Sequence, residues 1–331
     1  MEKLIDGYSR KISYLRMSVT DRCNLRCVYC MPAEGIELCE SANILRYEEF
    51  LRIARIAVAH GVTSIRVTGG EPLVRKGIVE FIGTLASIPG LEDLSITTNG
   101  VLLKDYAARL KEAGLKRVNV SLDSLKSDRF LKITRGDNLQ QVLDGLDEAV
   151  RVGLDPVKLN MVVIKGFNED EIVEFAALSK VKPYHVRYIE YMPFDTQEGW
   201  QKDKCISAKE MKELVEAALG PLEPVDVPSG GRGPAKRFRF KDAPGEVGFI
   251  SPVSEHFCNS CNRLRLTADG KLRACLFSDA EIDLRTALRE GADDSVIESL
   301  LFKACKEKPE RHHINENIFK RCSRTMSLIG G

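Results

Sequence analysis

The chain has 331 residues, 44% of them hydrophobic and 29% charged, and its 49 Lys and Arg nearly cancel 48 Asp and Glu, leaving a net charge of +1. This is the balance of an ordinary folded chain, not a disordered or fibrous one, and the length suits two domains. Near-neutrality excludes a globally basic nucleic-acid or membrane-surface binder, so any anion-binding cations must be local.

The patterning predicts a strand over 15–20, then an amphipathic helix over 47–60 stopped by Gly61. A strand over 63–68 and a helix over 77–88 follow, ahead of Pro89-Gly90. The pairing repeats as 93–97 with 103–113, as 117–122 with a helical stretch reaching 152, as 157–164 with 169–179, and as 186–190 with 208–219. About six β/α units at regular spacing predict a parallel sheet with crossover helices. Periodicity alone leaves open whether that sheet curls. The rhythm stops at Gly220-Pro221, and Pro and Gly cluster up to Gly245, including SGGRGP at 229–234. A boundary is therefore predicted near 220, giving one domain over 1–220 and a smaller one over 221–331. No apolar run reaches the roughly 18 residues of a membrane span, and the N-terminal residues lack an apolar leader core, so a cytoplasmic location is expected.

Ten cysteines in a reducing compartment point to metal binding or reactive chemistry before disulfides. Cys23, Cys27 and Cys30 form a Cys-x3-Cys-x2-Cys run in the loop after the first strand, where β/α folds carry their chemistry. Soft thiolates suit iron–sulfur clusters or zinc, and three ligands on a four-iron cube leave one iron open. A structural zinc completed by a distant His or Cys fits the same three residues equally well. Cys39 lies eight residues further on and is a poor fourth member.

A second set, Cys258, Cys261 and Cys275, reads Cys-x2-Cys-x13-Cys. It could be a three-Cys, one-His zinc site using His256, His312 or His313, or a second cluster with its own open iron. Arg263 and Arg265 follow at once, and guanidinium forks suit phosphate or a purine edge. Arg16, Arg66 and Lys158 are further cations in or beside strands, directed to the same end of the sheet. Cys39, Cys205, Cys305 and Cys322 read as plain buried or surface cysteines.

The first motif, TDRCNLRCVYCMP at 20–32, resembles the defining motif of radical S-adenosylmethionine (SAM) enzymes. With IRVTGGEP at 65–72, VRYIEYMP at 186–193, CNSCNRLR at 258–265 and the RTMSLIGG end, the chain is similar over essentially its whole length to the GTP 3′,8-cyclase family. The resemblance implies a partial (β/α)6 barrel of the radical SAM type, with a smaller C-terminal α+β domain carrying a second cluster. It implies two [4Fe–4S] clusters, on Cys23, Cys27 and Cys30 and on Cys258, Cys261 and Cys275. Tyr29, Gly70, Ser121 and Met192 match SAM contacts. Arg16, Arg66, Thr97, Lys158, Arg263, Leu264 and Arg265 match GTP contacts, and Arg265, Gly330 and Gly331 match residues supporting catalysis.

The family reaction forms (8S)-3′,8-cyclo-7,8-dihydroguanosine 5′-triphosphate, the first step of molybdenum cofactor biosynthesis. A 5′-deoxyadenosyl radical takes hydrogen from ribose C3′, which then attacks guanine C8. Implied partners are GTP, an electron donor such as flavodoxin or ferredoxin, and a downstream cyclic pyranopterin monophosphate synthase, with a monomer or homodimer and neither nucleic acid nor membrane. Two departures touch GTP binding. Ser64 stands where the family commonly has Lys, a contact for which Lys76 is the candidate replacement, and Gly77 stands where Asp is frequent. Two rivals are a radical enzyme that modifies a peptide, which would carry around seven C-terminal cysteines, and a zinc-stabilised binding module, which would be colourless.

Overall fold

The computed structural model describes residues 2–192, 202–226, 233–314 and 324–330. Pro193, Cys322, Gly331 and most of the Gly-rich 229–234 stretch lie outside the described residues. Six strands alternate with helices in the first two thirds: β1 (Tyr14–Ser18), β2 (Ser64–Thr68), β3 (Asp93–Thr98), β4 (Arg117–Ser121), β5 (Val157–Val163) and β6 (Tyr184–Glu190). All pair parallel to their sequence neighbours. The crossovers are α1 (Tyr47–Ala59), α2 (Ile78–Ala86), α3 (Leu103–Glu112), α4 (Ser127–Thr134) with α5 (Leu139–Arg151), and α6 (Ile172–Val181).

Strand alternation sorts the side chains. Leu15, Met17, Ile65, Val67, Leu94, Ile96, Val118, Val120, Leu159 and Met161 are buried in one continuous apolar core with residues of the helices. The other face of the same strands is polar, carrying Arg16, Arg66, Thr97, Asn119, Ser121, Lys158, Asn160 and Arg187.

After α7 (Ala208–Leu219), capped by Ser207 through a reciprocal box with Glu210, come β7 (Glu223–Pro224), β8 (Lys236–Arg239) and β9 (Glu246–Ile250). Then follow β10 (Arg263–Leu266), β11 (Lys271–Arg273), β12 (Ile282–Asp283), α8 (Leu284–Arg289), α9 (Asp294–Lys306) and the short α10 (Met326–Ile329). The strands beyond residue 220 extend the same sheet at both ends, in the order β12-β11-β10-β1-β2-β3-β4-β5-β6-β9-β8-β7. β9 pairs parallel with β6 and β10 parallel with β1, while the outer strands are antiparallel. The sheet is open, with β12 and β7 at its ends. It is curved nonetheless, because residues of β1 to β6, β9 and β10 all line one cavity.

The helical stretch predicted to run on to residue 152 is two helices. α4 stops at Arg135, which takes a left-handed conformation (φ 56°), and Gly136 follows, where a Cβ would meet Leu25 at 2.6 Å. That break is where the first cysteine loop docks.

Candidate functional site

The loop carrying Cys23, Cys27 and Cys30 is tied to the end of α4. Arg26 N–H donates to the Thr134 carbonyl and Val28 N–H to that of Ile133, each at 2.9 Å. Arg135 returns the contact, donating to the carbonyls of Arg26 (2.8 Å) and Met31 (3.0 Å). The loop thus satisfies carbonyls a helix end leaves unpaired. Opposite, the Gly69-Gly70 turn after β2 lies against its start. Gly70 N–H donates to Thr20 O at 2.7 Å and Glu71 N–H to Arg22 O at 2.8 Å. A Cβ at Gly70 would stand 2.4 Å from Arg22 O, so this approach requires glycine. Glu71, buried, accepts from Thr98 Oγ1, Asn99 N–H and Leu73 N–H and joins the ends of β2 and β3. Tyr29 donates its hydroxyl to Asp123 Oδ2 at 2.6 Å, while Asp123 Oδ1 takes Val162 N–H at 2.8 Å.

Burial pushes all three thiols up, Cys30 to about 12, and Cys27 is raised further by Cys30, Asp123 and Cys23. Neighbouring desolvated thiols of this kind become thiolates when a metal binds them.

In the second set, Cys258 opens a single 3-10 turn (Cys258–Ser260) and Cys261 follows it, leading into β10. The β10–β11 hairpin, pairing Arg265 with Arg273, returns the chain to Cys275. Burial pushes the Cys261 thiol up, but Arg263, Lys308 and Arg265 outweigh it and bring it down to about 6. His312 N–H donates to the Cys258 thiol, and the His312 ring lies 5.5 Å from that of His256 and 4.9 Å from that of Phe277.

Because β10 lies beside β1, both cysteine sets face one cavity of about 300 Å³, with all six cysteines on its wall. Between them Arg265, Arg16 and Arg66 stand side by side on β10, β1 and β2 in a single register row. Burial and its neighbour Arg66 draw Arg16 down to about 9, and burial with Arg66 and Arg117 does the same to Arg187. Cations crowded in low dielectric favour an incoming polyanion. Tyr29, Gly70, Thr97, Ser121, Met192 and Arg263 also line the cavity. Two predicted residues do not. Lys158 lies deeper in the strands, in register with Asn119 and His185, where burial and Arg187 bring its ammonium down to about 5. Alternation along β10 turns Leu264 into the apolar core, so its side chain takes no part in the cavity.

Lys76 and Ser64 lie far apart on the fold. Ser64 begins β2, buried beside Tyr14 and Asp93, whereas Lys76 is exposed in the loop beyond the opposite end of that strand. Sequence reasoning passed over Tyr14, Asn160, Arg187 and Phe257, which also line the wall. Each is a single polar or aromatic residue on an otherwise ordinary strand or loop, and only the sheet's curvature gathers them. Thr97 Oγ1, Asn160 Oδ1 and Arg265 Nε are buried on this wall without hydrogen-bond partners, as groups awaiting a polar ligand would be.

The C-terminal segment closes the wall between the two sets. Ser327 hydrogen-bonds the Cys30 thiol. Ile329 packs with Met192, Leu276, Phe277 and Met326. Gly330 (φ 85°) sits where a Cβ would be 2.8 Å from Ser18 and 3.0 Å from Thr68, with its carbonyl 3.5 Å from Arg16 Nη2. Arg324 anchors this segment to Asp269 (2.9 Å) and Glu281 (2.7 Å).

The donor sets fit iron–sulfur clusters: three thiols each, mutually close enough to influence one another, with space beside them in the cavity. Among the described residues no three His, Cys, Asp or Glu groups close on a single ion. No helix among the described residues is long and apolar enough to cross a membrane.

The Radical SAM superfamily model matches residues 17–179, and the Molybdenum Cofactor Synthesis C model matches residues 184–314. A GTP 3′,8-cyclase of Pelotomaculum thermopropionicum is 54% identical over 326 residues, covering 98% of this chain and 99% of that protein. One of Thermodesulfovibrio yellowstonii is 52% identical over 327 residues, with 98% and 99% covered. Among solved structures, Streptococcus suis SuiB superposes with a TM-score of 0.62 at 15% identity, covering 91% of this chain and 68% of SuiB, a likeness of fold.

Proposed function

This chain belongs to the radical SAM superfamily and, within it, to the GTP 3′,8-cyclases of molybdenum cofactor biosynthesis, and on that premise we propose that it converts GTP to (8S)-3′,8-cyclo-7,8-dihydroguanosine 5′-triphosphate. The observation that carries the proposal is the Arg265–Arg16–Arg66 row standing between two three-cysteine sets on one cavity.

Cys23, Cys27 and Cys30 would hold the first [4Fe–4S] cluster, and Cys258, Cys261 and Cys275 the second. With SAM bound, the first cluster supplies one-electron cleavage of the cofactor and so a means of removing hydrogen from carbon. Gly70, by letting the turn after β2 close on the cysteine loop, shapes the place for the methionine end of SAM, and Tyr29, Ser121 and Met192 contact its remainder. The arginine row and Arg263 bind GTP across the space between the sets, Thr97 offers its unpartnered hydroxyl, and Leu264 contributes only its backbone. Lys158 stands below the wall, where burial and Arg187 disfavour its ammonium until an anion lies near. These residues hold ribose C3′ towards the first set and the base towards the second, and a bound reactant pair in fixed orientation gains most of what catalysis needs from the protein. Gly330 and the Met326–Ile329 turn exclude water from the space they cover. An electron donor such as flavodoxin or ferredoxin and a downstream cyclic pyranopterin monophosphate synthase complete the reading.

The experiment is anaerobic. The chain is reconstituted with iron and sulfide, reduced, and given SAM with GTP deuterated at C3′. Deuterium in 5′-deoxyadenosine with consumption of GTP is the expected result. Cofactor cleavage with no transfer of deuterium would sink GTP as the hydrogen donor.

A further inference from the structure

Away from the cavity, the second cysteine set is bracketed by two buried cations. Arg10, 8% exposed, is held by Asp6 at 2.5 Å. It donates to the carbonyls of Cys258 (2.8 Å), Glu310 (2.7 Å) and Pro309 (2.6 Å). Lys308, 3% exposed, donates through Nζ to the carbonyls of Arg263 (2.9 Å) and Ala274 (2.5 Å). Ala274 directly precedes Cys275, and Arg263 lies two residues after Cys261. One ammonium therefore ties together the two arms that carry those cysteines.

The two cations differ in compensation. Arg10 has a carboxylate, whereas Lys308 has none among the described residues. An ammonium taken out of water costs several kcal/mol unless negative charge lies near it. Two carbonyl dipoles meet part of that cost. The sulfurs of Cys261 and Cys275 act on Lys308 electrostatically and would carry negative charge as ligands of a bound cluster.

We infer that Lys308 is a positioning residue of the second cysteine set: it fixes the Cys261 and Cys275 arms and raises the reduction potential of the cluster they hold. The inference rests on the reading that this set holds an iron–sulfur cluster. Charge and hydrogen bonding around the sulfurs set such potentials, and a buried positive charge favours the state with one more electron.

The test uses the full chain carrying Cys23→Ala, Cys27→Ala and Cys30→Ala, so that only the second set takes up iron. After anaerobic reconstitution, iron is counted and the one-electron reduction of [4Fe–4S]2+ to [4Fe–4S]+ by dithionite is followed by electron paramagnetic resonance. Lys308→Met and Lys308→Arg are compared with this parent. The expected result is about four irons per chain in all three, a lower midpoint potential in Lys308→Met, and a return towards the parent value in Lys308→Arg. Should Lys308→Met fold without iron, Lys308→Gln, a donor without charge, takes its place. Equal potentials throughout would overturn the role of the charge, and so would loss of iron from the Arg and Gln variants alike. A parent that takes up no iron would instead overturn the cluster reading, and Lys308 with it.

Discussion

Arg16 and Arg265 are register partners across the β1–β10 seam, although 249 residues separate them in the chain. That one pairing brings the second cysteine set against the first and turns two scattered basic residues into neighbours. Two guanidinium groups on adjacent strands, each lowered by the other cations around it, repel each other, which is tolerable where an anion comes between them. We expect Arg265→Ala to weaken GTP binding by about 10–100-fold, the value of one or two charge-assisted hydrogen bonds of roughly 1.5–3 kcal/mol. Equilibrium binding of GTP to the anaerobic, reconstituted chain measures this. Unchanged affinity would place the triphosphate and base elsewhere.

Gly70 gives a second prediction. Its missing side chain is occupied by backbone on the far side, Arg22 O at 2.4 Å and Asp21 O at 2.8 Å. Backbone atoms do not step aside as a lysine tip would. Gly70→Ala must push residues 21–23 outward, and overpacking of this sort costs about 1–3 kcal/mol. Because Cys23 is the next residue, iron uptake at the first set should fall while the second set keeps its own. Iron counts near half the parent value, with the fold intact by circular dichroism, are the expected readout.

What could be read from the sequence was what is local. The spacing of Cys23, Cys27 and Cys30 and the alternation of strand and helix patterns depend on near neighbours, and the strands lie where they were expected to within a few residues. The docking of β10 on β1 and of β9 on β6 is non-local, and no periodicity encodes it; a loss of β/α rhythm after residue 220 looked like a separate unit although its strands continue the sheet. Arg187 and Asn160 were hidden for a related reason, since an inward polar residue on a strand is conspicuous only when its facing strands are known. The break at Arg135-Gly136 carried a signal, a glycine inside a helical pattern, and its purpose became visible only with the cysteine loop packed on it.

Asp93 and Arg117 form a bidentate pair between β3 and β4, at 2.9 and 2.5 Å, with both side chains under a tenth exposed. Removing the carboxylate alone strands a buried guanidinium among other cations. Asp93→Ala should therefore cost about 3–5 kcal/mol, while a joint replacement of both residues by apolar ones should cost much less. Urea unfolding of the two variants and the parent measures the difference. Equal losses would mean that packing, not the stranded charge, sets the cost.

Asp283 caps α8 and supplies a pH dependence of known sign. Burial pushes its carboxyl up, but Lys271 at 2.6 Å and the N–H and hydroxyl of Thr286 outweigh this and hold it at about 2. The unfolded chain titrates nearer 3.9, so between about pH 4 and pH 2 it binds more protons than the folded one. The stabilisation is complete above pH 4 and lost as pH falls towards 2. With the carboxylate 34% exposed, solvent screening reduces the effect, and a cap of this kind contributes about 1 kcal/mol. Asp283→Asn keeps most of the cap geometry and removes the titration. Its unfolding free energy should lie about 1 kcal/mol below the parent at pH 6 and converge with it near pH 2, whereas parallel curves would assign the acid sensitivity to other carboxylates.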